Sequence, residues 1–291
     1  MEPMDNTHQQ APQAPTAVVT AAAKARKLWV AVREPNIELV RTLLRWVDIG
    51  ETDNFGNTFV YIACHYGHVN IVRLLLAKGG DPNKAHNNGT APVMIAAQNG
   101  DVDILKLLLM YGGDANKATL NGLTPMYVAA ERGHTRVIKL LIEHGCDPNA
   151  GRTHHYWDNT SGSSTPLHIA ARNGHAHTVH VLLKANANTD SLWKNLHPLH
   201  CAVFTGHTDV VRIMTEVWPL DLMPWKMFVR GKTAVHNCTE MIGEIYMYLY
   251  KPQYVDPQQP DAKGRTPIML ASDPRYRRRD MVNVLQAVVR R

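Results

Sequence analysis

Aromatic residues make up only 7% of this 291-residue chain, and cysteine occurs at four positions, 64, 146, 201 and 238. The cysteines show no CxxC spacing. That excludes a disulfide framework and a zinc-ribbon pattern, and it fits a reducing compartment. Long apolar runs are missing too, and none reaches the roughly 18 residues of a membrane-spanning helix. The first 19 residues, MEPMDNTHQQAPQAPTAVV, lack a basic start followed by an apolar stretch. They carry Glu2 and Asp5 but no arginine, so neither a secretory signal nor a mitochondrial presequence is expected. Segment 1–19 reads as a flexible tail. GxSxG, HExxH and GxGxxG do not occur, which removes the commonest nucleophile, zinc-protease and dinucleotide signatures. Together these absences predict a cytoplasmic protein without membrane insertion, with a nuclear location left open.

Basic charge is scarce outside one segment. The net charge is +6, but the last 18 residues hold six arginines against Asp280, leaving the remainder nearly neutral. Nucleic-acid recognition normally uses a broader basic footprint with interleaved aromatics, so no nucleic-acid partner is expected. The cluster RYRRR, 275–279, reads first as a solvated end of the fold. Binding to an acidic protein surface is the second reading, and nucleic acid or nuclear import the third.

What the sequence does contain is a period. NTFVYIACHYGHVNIVRLLLAKGGDPN (57–83), TAPVMIAAQNGDVDILKLLLMYGGDAN (90–116) and LTPMYVAAERGHTRVIKLLIEHGCDPN (123–149) start 33 residues apart. Further copies run 164–190 and 196–214, and weaker ones begin at 231 and 264. Thr124 and Thr165 stand where a helix N-cap is needed, each followed by proline at the first helical position. Paired small residues such as Ala129–Ala130 allow close helix stacking. A glycine (67, 100, 133, 174, 206) ends each inner helix. An outer helix follows with apolar residues at helical spacing, as in Val137, Ile138, Leu140 and Leu141. Gly79, Gly112 and Gly145 release the chain into a loop, and the Asn-Gly pairs 88–89 and 121–122 close its tip. One such unit cannot bury its apolar faces, so successive units must stack.

These segments closely resemble the ankyrin repeat, whose T-P-L-H-x-A signature stands at 165–170 as TPLHIA. The resemblance implies an all-α solenoid of helix–turn–helix units joined by hairpin-like loops. It places a capping unit at 20–52 and repeats near 53–85, 86–118, 119–150, 160–191, 192–224, 228–260 and 261–291. Thr124 and Thr165 lie 41 residues apart where the period predicts 33, so eight residues are inserted within 151–164.

The period absorbs most apparent chemistry. Of 16 histidines, His68, His134, His175 and His207 share the position after the inter-helix glycine. His168, His200 and His236 share the TPLH position, where the resemblance implies a ring that hydrogen-bonds between loops and repeats. His175, His177 and His180 lie close on one helix without a nearby cysteine or carboxylate in sequence. Cys64, Cys146 and Cys238 occupy small-residue slots. GKT at 231–233 echoes a phosphate loop, but the required glycine five residues earlier is Lys226. No catalytic residue, metal ligand set or cofactor is assigned.

The resemblance implies recognition of protein partners through a concave face and its loop tips, by a non-catalytic adaptor, scaffold or assembly subunit that is monomeric outside its complex. Mapped by register, the contact residues are Phe55, His65, Tyr66, Asn88, Gln98, Asn99, Leu123, Glu131, Arg132, Arg172, Trp193 and Phe204, with Tyr156 and Trp157 on the insertion. A second apolar segment, WPLDLMPWKMF (218–228), reads either as a partner site or as a cover over the sixth repeat. The rival reading is a metal-binding or enzymatic loop at 151–164, using His154 or His155 with Asp158. Stoichiometric zinc lost on His154→Ala/His155→Ala would identify it. Asn83, Asn116 and Asn149 also resemble asparagines that are hydroxylated in some ankyrin proteins.

Overall fold

A computed structural model describes residues 16–152, 163–193 and 196–217, together with 264–266 and 269. The long helix α1 (Thr16–Arg33) is followed by α2 (Ile37–Leu43). Among the described residues, five helix pairs then follow in strict alternation. They are α3 (Phe59–His65) with α4 (Val69–Ala77), α5 (Pro92–Asn99) with α6 (Val102–Met110), and α7 (Pro125–Arg132) with α8 (Thr135–Glu143). The last two are α9 (Pro166–Arg172) with α10 (Ala176–Lys184), and α11 (Pro198–Thr205) with α12 (Thr208–Val217). Inner helices α1, α3, α5, α7, α9 and α11 contact one another in sequence, and so do the outer helices α2 to α12. The described residues contain only isolated β-bridges, at Thr52–Thr58, Arg152–Ser164 and Trp193–Leu196. These close the bases of three inter-repeat loops.

Helix α1 begins at Thr16, inside the segment expected to be tail. The opening TAVVTAAAKA contains an alanine-rich run, and alanine is the strongest helix former. The two helices of the capping unit pack on α3 and α4, with Trp29 against Phe59 at 4.0 Å between ring centroids.

The caps follow the expected chemistry. Thr58, Thr124 and Thr165 accept hydrogen bonds from the backbone nitrogens of Tyr61, Tyr127 and His168. Repeat two is different: Ala91 takes the cap position and makes no side-chain bond there. Ala96, Ala97, Ala129, Ala130, Ala170 and Ala171 are fully buried, which lets the inner helices stack closely. Each outer helix buries the stripe its sequence predicts, such as Ile104, Leu105, Leu107 and Leu108 on α6. The result is one continuous core running from Ala25 to Met214.

The eight-residue insertion leaves the stack intact. Its two ends pair, with Arg152 N donating to Ser164 O at 2.9 Å and Ser163 Oγ to Arg152 O at 2.8 Å. Thr124 Oγ1 anchors the near side through Ala150 O at 2.8 Å. Residues 1–15, 153–162, 194–195, 218–263, 267–268 and 270–291 lie outside the described residues. So do the expectations made for Tyr156, Trp157, the 218–228 segment, repeats six and seven, and the 275–279 cluster.

Candidate partner-binding surface

The loop tips are locked from within. Asp53 Oδ1 accepts hydrogen bonds from Phe55 N and Asn57 N, both at 2.9 Å, while Asn57 Nδ2 donates to Asp53 Oδ2 at 2.8 Å. Partial burial works to raise the Asp53 carboxyl pKa. The bonds from Asn57 and Phe55 outweigh it and, with the charge of Arg33, hold the group below its ordinary value. Adjacent tips are tied together as well: Asn87 N donates to Phe55 O at 3.2 Å, and Leu120 N to Asn88 O at 3.1 Å. Asn88 uses its own Oδ1 to close its turn on Thr90 N.

On this rigid edge Phe55 is 67% exposed and Leu120 78% exposed. Behind it, at the C-terminal end of α3, His65 and Tyr66 are also exposed. The two rings meet edge-on at 5.2 Å, and Tyr66 stacks on His68 at 5.9 Å. Tyr66 is therefore held in place without being covered.

The other mapped positions differ in their surroundings. Asn99 Nδ2 donates to His65 O at 3.2 Å and to Cys64 O at 3.4 Å. Leu123 is half-buried and packs on the core. Gln98 is half-buried, and its carbonyl accepts from His134 Nε2. Glu131 and Arg132 are exposed, with Glu131 O accepting from both Asn173 Nδ2 and His175 Nε2. Arg172 lies over the half-buried Trp193 ring at 5.5 Å, and His168 meets the same ring edge-on. Phe204 lies on α11.

The glycine-following histidines form a regular ladder. His68, His134, His175 and His207 each donate through Nε2 to a carbonyl of the preceding unit: Arg33, Gln98, Glu131 and Arg172, at 2.9–3.1 Å. Three of these rings press on the preceding glycine. A Cβ at Gly100, Gly133 or Gly174 would come within 2.5–2.7 Å of a histidine Nδ1. Positive φ and ring contact thus both require glycine there. Repeat two has Asp101 in the histidine slot, and Asn99 supplies the donor for His65 O instead.

The TPLH histidine forms the other link. His168 Nδ1 engages Thr165, and its Nε2 donates to Leu196 O at 3.0 Å. Burial pulls His168 and His200 down to a pKa of about 4. Among the described residues, His200 Nε2 has no hydrogen-bond partner. Burial also pushes the Cys146 thiol up to about 11 and Cys201 up to about 12, and raises Cys64 further. Such thiols are poor nucleophiles.

Together these features show a stack of units locked edge to edge, with inter-helix glycines and histidines in fixed register. Three copies of the ankyrin-repeat family model match the chain, at residues 28–119, 93–158 and 153–222. The chain belongs to the ankyrin-repeat family. Among curated proteins, no relative matches it. Ankyrin repeats generally act as protein–protein interaction modules and are typically non-catalytic.

Among the described residues of this ankyrin stack, no three His, Cys, Asp or Glu side chains converge as a metal site. No described helix is long and apolar enough to cross a membrane. His154, His155 and Asp158 lie outside the described residues. Asn83 bridges to the next repeat through Gly112 O and Asp114 N, and Asn149 does so through Asn188 N, whereas Asn116 is exposed. Among the exposed apolar side chains outside the mapped contact positions are Trp46, 65% exposed beneath Lys24, and Met110, 78% exposed. Met110 ends an outer helix where Ala77, Glu143 and Lys184 stand in other repeats, and that comparison was the available clue.

Proposed function

We propose that this ankyrin stack is a non-catalytic adaptor, scaffold or assembly subunit that binds protein partners through its inner-helix face and loop tips. The observation that carries this reading is the pairing of exposed Phe55 and Tyr66 with a backbone fixed beneath them. Large aromatics presented on rigid supports are the side chains that dominate interface energies, because little conformational freedom is lost on binding. Arg172 stacked on Trp193 extends the surface into repeats four and five. Glu131 and Arg132 lie between the two aromatic groups in sequence and supply charged contacts. Within this proposal the protein is cytoplasmic, monomeric outside its complex and without a nucleic-acid partner.

The test is a quadruple variant, Phe55→Ala/Tyr66→Ala/Trp193→Ala/Phe204→Ala, checked for helicity and melting. Affinity capture should lose one or more partners that the parent chain retains. An unchanged partner set from a folded variant would overturn the mapped surface.

A further inference from the structure

The opposite row of helices carries a charge pattern independent of the inner-face reading. Arg41, Arg73, Lys106, Lys139 and Arg212 occupy one register position on α2, α4, α6, α8 and α12, with His180 in the same place on α10. The two ends of this ladder are neutralised by their own helices. Arg41 pairs with Glu38, and Arg212 with Asp209 and Glu216. The three middle cations differ: Arg73, Lys106 and Lys139 are exposed and make no ion pair with any described residue.

The same middle region includes Arg136 on α8, exposed and likewise outside any described ion pair, and the carboxylates Asp103 and Glu143. The carboxylates lie one turn from Lys106 and Lys139 but close no salt bridge. Met110, one turn beyond Lys106, adds an exposed apolar side chain beside the row of cations.

We propose that Arg73, Lys106 and Lys139 form a docking strip for an extended acidic polypeptide segment. Neighbouring packed helices lie about 8–10 Å apart, which sets the spacing of the rungs. A polyproline-II segment repeats its side-chain direction every three residues and rises about 9.3 Å over that interval. Carboxylates at every third residue therefore meet successive rungs, and the segment crosses the helices at right angles to their axes. Arg73 can grip its carboxylate in a two-pronged bond, while the two lysines act as point charges. The strip is narrow and bounded at both ends by internal ion pairs, which suits a peptide better than the broad footprint of a nucleic acid.

The test uses the full chain and a fluorescently labelled peptide made of Glu-Pro-Ala repeats, read by fluorescence anisotropy at low salt. Arg73→Glu/Lys106→Glu/Lys139→Glu should weaken binding tenfold or more, on the order of what removing several charge contacts does. Arg41→Glu/Arg212→Glu should leave affinity within about twofold, because those cations are already paired. If the reversed triple variant does not fold, Lys106→Gln/Lys139→Gln gives the same reading at smaller amplitude. Unchanged affinity in a folded triple variant would overturn the strip. Equal binding of a peptide with the same composition but contiguous glutamates would overturn the proposed spacing. Tighter binding of duplex DNA or of phosphatidylserine vesicles, lost in the triple variant, would replace the acidic peptide with that occupant.

Discussion

Asn149 Oδ1 accepts a 2.6 Å hydrogen bond from the backbone nitrogen of Asn188, 39 residues further along the chain. The equivalent bond two boundaries earlier, from Asp114 N to Asn83 Oδ1, spans 31 residues. The difference is the insertion itself, looped out while the stitch across the boundary is kept. Deleting eight residues from within 153–162 should therefore leave the melting temperature within a few degrees of the parent. Asn149→Ala should cost about 1 kcal/mol, the usual worth of one such bond. Thermal and urea unfolding followed by circular dichroism checks both, and a large loss on the deletion would show that the insertion supports the stack.

Gly133 and Gly145 separate two reasons for a glycine at a turn. Both have positive φ, +74° and +76°, but only Gly133 has the His175 ring against it, 2.6 Å from where a Cβ would lie. Alanine at Gly145 should cost the left-handed backbone penalty alone, roughly 1–2 kcal/mol. Gly133→Ala should cost at least about 1 kcal/mol more, since the ring must move and its bond to Glu131 O weaken. Equal losses in urea titrations would mean the ring yields freely.

Acid should weaken this protein well above the carboxylate range. His168 and His200 titrate near 6.5 when unfolded and about 4 when folded, mainly because burial disfavours the charged ring. Between those values the unfolded chain binds more protons than the native one, so stability falls as pH drops. Each ring contributes up to about 1.4 kcal/mol per pH unit inside that window. Asp53, held below its ordinary 3.8, adds its own loss only at lower pH. A urea midpoint that stays constant from about pH 7 to pH 4.5 would contradict the assignment, since most of both rings' windows lies there.

Phe55→Ala should change stability by less than about 0.5 kcal/mol, as expected of an exposed side chain. Leu123→Ala, from the same set of register-mapped contacts, should cost about 1–2 kcal/mol through lost burial. Paired unfolding and partner-binding measurements separate the two. Phe55 should lose partner without stability, and Leu123 should lose stability first.

The repeat, its caps and the inter-helix glycines were legible because each is a local rule: a proline after threonine, a glycine at a positive φ, an apolar stripe at helical spacing. The roles of Asn99 and Leu123 were not. Register assigns both to the partner face, but whether a side chain reaches outward or folds onto the neighbouring unit depends on residues more than 30 positions away. Asn99 turns to His65 O, 34 residues back, just as Asn173 turns to Glu131 O. The histidine positions were readable as structural, yet their specific acceptors appeared only once the units were stacked.

The ladder of imidazoles also defines where this chain can be cut. His207 reaches back to Arg172 O while His168 reaches forward to Leu196 O, so the boundary between the fourth and fifth units is sewn from both sides. The ring of one unit fills the space left by the glycine of the unit before it. A transplantable module therefore begins at one inter-helix glycine and ends after the next histidine. Its frame is offset by half a unit from the one that the eye finds in the sequence.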